Sequence, residues 1–297
     1  MTTDHATTTL HAGCKVNLNL FICGLREDGY HELDSIFLPL PEPHDTLTIT
    51  REAKPGFRMS SSVKALETMH TTLHSAYDKF CEATGTNPGL RLHLEKGIPS
   101  GAGLGGGSSD AAAFLQFLNE NAGENALPQE RLHRIATAVG ADVPFFLMNS
   151  PAHASGIGEK LRRVSLDLRG LSLLLLCPPV HVPTNWAYKA WDKAFLAKNH
   201  DEKTSESLTC RASTGKCFPC SERLLLNSFE SVVFKAYPKL RSLKEELLLS
   251  GAASAVMSGS GASLFALFRS YSTASRVAKR LQQAGLSIYL HSFDAGV

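Results

Sequence analysis

The sequence predicts a protein of the α+β class that is organised as two domains. The chain has 297 residues, which is enough for two domains of ordinary size. Its first third is rich in strand-type patterns, and its second half again mixes strands with helices. A hydrophobic share of 43% and a charged share of 20% are typical of a globular protein. These shares argue against a disordered chain and against a membrane protein.

Four segments of the first half have the pattern of β-strands. In residues 13–23 apolar and polar side chains alternate, which indicates a half-buried strand with Lys15 and Asn17 on the same face. Residues 33–40 and 46–50 indicate two further strands, and residues 90–94 alternate leucine with polar residues in a fourth. The fourth strand leads directly into a glycine-rich segment.

Helical patterns follow the strands in both halves of the chain. The predicted helices and further strands are then as follows: helices over residues 62–84, 110–119 and 129–139, a short element over 142–147, strands near 171 and over 262–268, and helices over 221–234, 238–250 and 273–284. We place the domain boundary near Val164, which gives domains of residues 1–164 and 165–297.

Charge and cysteine usage restrict the environment and the partners. Thirty Lys and Arg residues against 28 Asp and Glu residues leave a formal charge of +2, so no nucleic-acid partner is expected. The longest apolar run, residues 171–180, is far shorter than the roughly 20 residues that span a bilayer, so no membrane partner is expected either. We expect reduced, buried thiols at Cys14, Cys23, Cys81 and Cys177, and therefore a cytoplasmic protein.

A polar segment of residues 198–220 interrupts the second half and is predicted to be an insertion. It contains Cys210, Cys217 and Cys220. The last two have the spacing of zinc ligands, but no second ligand pair follows them. A loop with free thiols is therefore favoured over a metal site.

The most informative segment contains five glycines between Gly101 and Gly107 and runs into an alanine-rich pattern. Closely spaced glycines permit positive φ angles and let backbone N–H groups converge on a phosphate, and a helix that starts near Ser108 adds its positive end. The segment lacks the Lys-Ser/Thr ending of a Walker A loop and the context of a dinucleotide fingerprint. A flexible linker is disfavoured because a strand precedes the glycines and a helix follows them. A site for a polyphosphate is predicted.

Four motifs resemble those of the GHMP kinases. The sequence Pro99-Ser-Gly-Ala-Gly-Leu-Gly-Gly-Gly-Ser-Ser is similar to the ATP-binding signature of that family. Cys14-Lys-Val-Asn-Leu and the later Asp-Gly-Tyr-His that ends at His31 resemble its first strand and the following turn. Ala-Asp-Val-Pro-Phe around Asp142 resembles the segment of its catalytic aspartate, and Met257-Ser-Gly-Ser-Gly its C-terminal glycine loop. The likeness covers nearly the whole chain apart from the insertion.

The resemblance implies a fold and a set of site residues. The fold would be the two-domain GHMP kinase fold, with a ribosomal-protein-S5-like N-terminal domain, a ferredoxin-like C-terminal domain and the active site in the cleft between them. The catalytic residues would be Lys15 and Asp142, and no metal ligand is assigned. ATP would bind to Pro99, Ser100, Gly101, Ala102, Gly103, Leu104, Gly105, Gly106, Gly107, Ser108 and Ser109. Substrate would bind to Asn17, Tyr30, His31, Tyr188, Gly259, Ser260 and Gly261.

Taken without the resemblance, several of these residues have simpler explanations. Lys15 could be a solvent-facing charge, and Asp142 could cap the helix that follows it. Tyr188 could be a core aromatic residue, because Trp186 and Trp191 lie near it at helical spacing. These alternatives remain open at the level of the sequence.

The resemblance also implies an activity. The long glycine run and the Asp-Gly-Tyr-His turn are those of the branch that transfers phosphate from ATP, with Mg²⁺, to the 2-hydroxyl group of 4-diphosphocytidyl-2-C-methyl-D-erythritol in non-mevalonate isoprenoid synthesis. Tyr30 and Tyr188 would enclose the cytosine, and His31 would bind its edge. Another GHMP kinase, of the homoserine or mevalonate type, and a catalytically silent regulator are the alternatives. The partners would be small molecules, and the protein would be a monomer or a weak homodimer.

Overall fold

The computed structural model of the chain describes residues 7–201 and 225–293. The strands are β1 (Thr7–Leu25), β2 (His31–Arg51), β3 (Gly56–Ser61), β4 (Gly89–Glu95), β5 (Ala152–Gly156), β6 (Lys160–Arg163), β7 (Ser172–Cys177), β8 (Ser254–Met257), β9 (Leu264–Phe268) and β10 (Ser287–Ser292). The helices are α1 (Thr72–Thr84), α2 (Gly106–Glu120), α3 (Gln129–Val139), α4 (Val143–Met148), α5 (Thr184–Asp201), α6 (Glu230–Ala236), α7 (Pro238–Leu249) and α8 (Tyr271–Gln283). Short 3₁₀ helices occur at Lys64–Thr68 and Gly123–Asn125.

The chain forms two compact units, of which the first comprises Met1–Cys14, Pro39–Pro99 and Gly105–Asn149. In this unit β4 pairs in parallel with β3 and antiparallel with the Thr46–Arg51 end of β2. Helices α1, α3 and α4 pack against α2. The alternating leucines of β4 and the apolar face of α2, including Phe114, form a common core. Burial of one such large apolar side chain contributes about 1.5–3 kcal/mol.

The second unit comprises Lys15–Leu38, Ser100–Leu104 and Ser150–Val297. Its four-stranded antiparallel sheet has the order β10-β7-β9-β8, which is the strand order of a ferredoxin-like domain. Every residue of β7, β8 and β9 is buried, which explains the continuous apolar run of the sequence there. Elsewhere in this unit β5 pairs with Leu33–Phe37 of β2, and β6 pairs with β5.

The predicted strands at residues 33–40 and 46–50 are in fact one strand, β2. Pro39, Pro41 and Pro43 lie in the middle of this strand. Because these prolines occupy alternate positions, their missing N–H groups all face the same side of the strand. The strand can therefore continue through them.

Two predicted helices begin later than expected. The pattern of residues 62–84 contains a 3₁₀ turn, and the α-helix starts only after Thr71, whose backbone N–H donates to Nδ1 of His74 at 3.2 Å. In the pattern of residues 221–234, α6 begins at Glu230. The preceding Asn227 instead forms a bridge with Leu20 of β1. Predicted strand 90–94 and helices 129–139, 238–250 and 273–284 are confirmed to within two residues at their ends. Predicted strand 13–23 is confirmed as part of β1, which begins six residues earlier, at Thr7.

The cysteines only partly match the expectation. Cys14 and Cys177 are free and buried, and Cys81 is free and half-buried. Cys23 is exposed and disulfide-bonded, so the prediction of a buried, reduced thiol is wrong for this residue. Cys210, Cys217 and Cys220 lie outside the described residues.

Two features are absent from the part of the chain that the structure describes. None of its helices has both the length and the apolar character needed to cross a bilayer. Residues 7–201 and 225–293 also contain no group of three His, Cys, Asp or Glu side chains placed to hold a metal ion.

Candidate active site

Strand β1 carries a buried lysine next to a buried asparagine. Lys15 and Asn17 are only 5% and 2% exposed, so the prediction of a half-buried strand is wrong here, as is the alternative of a solvent-facing Lys15. Nζ of Lys15 donates to Oδ1 of Asn17 at 2.6 Å and lies 4.5 Å from the centre of the Phe37 ring. An amide dipole and an aromatic face thus both stabilise the ammonium group.

The amide of Asn17 has a defined orientation. Its Oδ1 accepts the bond from Lys15, while its Nδ2 donates to Oγ of Ser35 at 2.9 Å. Ser35 in turn donates to the carbonyl of Asn19 at 2.5 Å. Since each polar atom of the Asn17 amide has a partner of the correct type, the side chain is fixed before any ligand binds.

The predicted ATP-binding segment forms what we call the first glycine loop, residues 99–109. Gly101, Gly103 and Gly105 all have positive φ, at 67°, 74° and 74°, and α2 starts directly after them. Alternating backbone conformations of this kind turn neighbouring N–H groups towards one side and form a concave anion site. A Cβ atom on Gly103 would lie 2.3 Å from the carbonyl oxygen of Ser258. Only glycine therefore fits at position 103.

The second glycine loop, residues 257–263, joins β8 to β9. Ser258 is completely buried in it; its Oγ donates to the carbonyl of Gly103 at 3.1 Å and accepts from the backbone N–H of Asn17 at 3.2 Å. Lys15 N–H also donates to the carbonyl of Leu104 at 3.0 Å. Residues 100–104 of the first glycine loop, β1 and the second glycine loop are thus joined by hydrogen bonds within the second unit.

The predicted substrate residues Gly259, Ser260 and Gly261 are buried in the second glycine loop. Oγ of Ser260 lies 2.9 Å from Oγ1 of Thr184 at the start of α5. Asn227 donates from Nδ2 to the carbonyls of Met257 and Gly259, both at 2.7 Å. Asn227 therefore holds the loop in shape, a role that was not predicted from the sequence.

A second set of predicted substrate residues lies between β2 and α5. The ring of His31 stacks on Tyr188, with 4.6 Å between the ring centres and 25° between the planes. Nε2 of His31 lies 2.6 Å from Oδ1 of Asp192, which was not predicted. Tyr188 also packs edge-on against Phe229, in agreement with its alternative explanation as a residue packed on the core. Tyr30 exposes 60% of its surface.

In the first unit, Asp142 occupies the N-cap position of α4. Its side chain makes no capping hydrogen bond to that helix, so the simplest alternative explanation of this aspartate is wrong. Asp142 is half-buried, as is Ser108 in the first turn of α2, whereas Ser109 is 4% exposed. The backbone N–H groups of both serines donate to the carbonyl of Gly105.

Both ends of the first glycine loop are anchored in the first unit by a buried charge cluster that the sequence did not predict. Lys96 contacts Asp45 and lies 3.1 Å from Oδ2 of Asp110 in α2. Oδ1 of Asp45 accepts from the backbone N–H groups of Gly97 and Ile98, both at 2.8 Å. Burial raises the pKa of Asp110 well above its usual value, although the charge of Lys96 opposes this shift.

The fold and these loops are those of a family of small-molecule kinases. Residues 71–150 match the model of the GHMP kinase N-terminal domain, and residues 216–286 match the model of the C-terminal domain. The chain belongs to the GHMP kinases, and the two-domain α+β fold predicted from the sequence is confirmed. Membership in a kinase family implies ATP as the co-substrate.

Individual relatives are named more narrowly. The chain is 48% identical to a 4-diphosphocytidyl-2-C-methyl-D-erythritol kinase of Nitratidesulfovibrio vulgaris, over 95% of this chain and 98% of the relative. It is 43% identical to the enzyme of that name from Lawsonia intracellularis, over 90% of each chain. A crystal structure of a 4-(cytidine 5'-diphospho)-2C-methyl-D-erythritol kinase is similar with a TM-score of 0.74 and 31% identity, covering 95% of this chain and 98% of that one.

Proposed function

We propose that this chain transfers the terminal phosphate of ATP to the 2-hydroxyl group of 4-diphosphocytidyl-2-C-methyl-D-erythritol. One observation carries the proposal: the buried Lys15–Asn17 pair is joined through Ser258 to a glycine loop shaped for phosphates. A fixed cation next to a phosphate-binding backbone is what phosphoryl transfer requires. The names of the most similar relatives support the identity of the acceptor.

The first glycine loop would hold the phosphates of ATP by its backbone N–H groups. Its glycines at 101, 103 and 105 leave no side chain on the concave surface. Mg²⁺ would accompany the nucleotide and neutralise phosphate charge. Both Ser108 and Ser109 remain candidates for a hydroxyl contact to the metal, and the half-buried Ser108 is the more accessible of the two.

Asp142 would accept the proton of the attacking hydroxyl group, and Lys15 would stabilise the negative charge that develops on the transferred phosphate. Asn17 keeps the Lys15 ammonium in place through the 2.6 Å bond.

The acceptor would be recognised mainly through its cytosine. Tyr30, with 60% of its surface exposed, can offer a ring face to a base, and Tyr188 would contribute the second aromatic surface. His31 would bind the edge of the base. The buried Gly259, Ser260 and Gly261 would contact the remainder of the substrate through the backbone.

A coupled assay of ADP release tests the proposal. The purified protein is supplied with ATP and Mg²⁺ and, in separate reactions, with the diphosphocytidyl substrate, mevalonate or homoserine. We expect turnover with the first compound alone, and a higher kcat/KM for either of the others would overturn the proposed acceptor. Asp142→Asn should reduce kcat by about 10²- to 10⁴-fold while leaving ATP binding intact. An unchanged kcat would remove Asp142 from the mechanism.

We also propose a cytoplasmic location, free small molecules as partners, and a monomer or weak homodimer in solution. Three of the four described cysteines, at positions 14, 81 and 177, form no disulfide, which supports a reducing compartment, whereas the disulfide of Cys23 argues against one. Sedimentation velocity over a range of protein concentrations measures the oligomeric state, and a dimer that persists at nanomolar concentration would contradict the proposal.

A further inference from the structure

His31 is held from three directions in the second unit. One face of the imidazole stacks on Tyr188, Trp191 approaches at 87° with 5.8 Å between the ring centres, and Nε2 meets Asp192 at 2.6 Å. The His31 side chain is 7% exposed, and that of Asp192 is 34% exposed. The ring therefore has little freedom to rotate, and its polar contact comes from a residue whose own side chain reaches solvent.

The contact with Asp192 determines which ring nitrogen carries the proton. A carboxylate can accept a hydrogen bond but cannot donate one, so Nε2 must be the protonated nitrogen. In a neutral imidazole the other nitrogen, Nδ1, is then an acceptor. Within residues 7–201 and 225–293, Nδ1 of His31 has no protein partner. It is the polar atom of this ring that remains for a ligand.

We propose that Asp192 is a positioning residue that fixes His31 in the Nε2–H tautomer, so that Nδ1 accepts a hydrogen bond from the exocyclic amino group of cytosine. This inference rests on the proposed function, which makes a cytosine the ligand. The new element is Asp192, which determines that Nδ1 of His31 accepts this hydrogen bond and does not donate it. At many metal and catalytic sites a carboxylate likewise accepts a hydrogen bond from one ring nitrogen of a histidine and thereby fixes its tautomer and orientation.

The direction of this bond has a consequence for specificity. Cytosine presents an amino group, a donor, at the position where uracil presents a carbonyl oxygen, an acceptor. With Nδ1 unprotonated, a uracil base would place two acceptors against each other, and an unpaired polar contact in a buried site is costly. The Asp192–His31 pair would thus select cytidine over uridine substrates.

A ¹⁵N NMR measurement on the protein without substrate tests the tautomer directly. The spectrum of the His31 ring at about pH 8 should have the pattern of a neutral imidazole protonated at Nε2. A pattern of the Nδ1–H tautomer, or of the doubly protonated ring, would overturn the inference. This result does not depend on the identity of the substrate.

Kinetics of Asp192→Asn test the consequence. An asparagine can turn its NH₂ group towards Nε2, which releases the tautomer, so we expect the ratio of kcat/KM for the cytidine substrate to that for its uridine counterpart to fall by about 10-fold or more. KM for ATP should not change. An unchanged ratio would overturn the inference. If the wild-type protein does not use the cytidine substrate at all, the proposed function fails, and the NMR result still decides the role of Asp192.

Asp34→Asn is the matched control. Asp34 pairs with His153 at 3.1 Å, also in the second unit, and both of these side chains are about one-fifth exposed. The substitution therefore removes the same kind of contact from a histidine for which we propose no role. The preference for cytidine should be the same as in the wild type, and an equal loss of preference would mean that the effect of Asp192→Asn is not specific to His31.

Discussion

The two glycine loops use the same residue type for different purposes. In the first, glycines at 101, 103 and 105 have positive φ and precede a 15-residue helix. In the second, the loop joins two strands, residues 258–261 are buried, and its carbonyls accept bonds from Asn227. The backbone of the first loop therefore forms the concave surface that we propose for ATP, whereas several polar groups of the second loop bind other parts of the protein.

This difference teaches that a glycine-rich sequence by itself does not define a ligand site. The second glycine loop contributes to the site chiefly by holding the first, through the hydroxyl of Ser258 and the close approach of its carbonyl to Gly103. This relation is testable, because it predicts that substitutions in the second glycine loop also weaken the ATP binding that we propose for the first glycine loop.

The largest effect is expected for Gly103→Ala. The new Cβ would meet the Ser258 carbonyl at 2.3 Å, and the φ of 74° is itself unfavourable for alanine. We expect a loss of about 3–5 kcal/mol in the free energy of unfolding and a rise in KM for ATP. Urea denaturation and kinetics measure both. Gly24→Ala, where the Cβ meets nothing within 4 Å, is the control and should have little effect.

A somewhat smaller effect is expected for Asn227→Asp. The substitution replaces the NH₂ group, which donates to two carbonyls at 2.7 Å, by an oxygen that repels them. A loss of about 2–4 kcal/mol in unfolding free energy should follow. If urea denaturation finds a loss below about 0.5 kcal/mol, the second glycine loop does not depend on Asn227.

Ser258→Ala should have a moderate effect. It leaves the Gly103 carbonyl and the Asn17 N–H without this partner in a buried position, at a cost of about 1–3 kcal/mol. If the second loop supports the first, KM for ATP should also rise, although Ser258 would not touch the nucleotide. Ser242→Ala on the exposed face of α7 controls for the loss of a hydroxyl and should change neither value.

The smallest effect is expected for Asp110→Asn at acidic pH. Asp110 belongs to the buried charge cluster that anchors the first glycine loop. The folded protein raises the pKa of Asp110, mainly through burial. Above about pH 4 the native state therefore keeps a proton that the unfolded chain has released, and this group lowers stability as pH rises towards the raised pKa. Denaturation curves at about pH 5 and pH 8.5 should show that the variant gains stability relative to wild type at the higher pH. A constant difference would contradict the shift.

The sequence predicted local structure well where one periodic pattern was uninterrupted. Strand β4 and helix α3 were found because their apolar residues follow a single period. Strand β2, by contrast, was predicted as two strands, residues 33–40 and 46–50, although it continues through three prolines. One motif pointed to the first glycine loop, and a separate motif pointed to Lys15 and Asn17.

The supporting residues could not be predicted in the same way. Ser258 and Gly103 are 155 positions apart, and Lys96 and Asp45 are 51 apart, so no local pattern connects them. Asp192 could have been suspected from its sequence position alone. It follows Tyr188 by one helical turn and would therefore lie on the same face of α5. The roles of the predicted site residues themselves stay predictions until the kinetic tests are made.

The discontinuous second unit has a consequence for synthesis on the ribosome. Residues 100–104 belong to a unit that is completed only by the last part of the chain. The serine that fastens the loop leaves the ribosome 155 residues after Gly103, which is at least several seconds later at ordinary translation rates. Nascent chains should therefore acquire affinity for nucleotide only after residues 257–263 have left the ribosome.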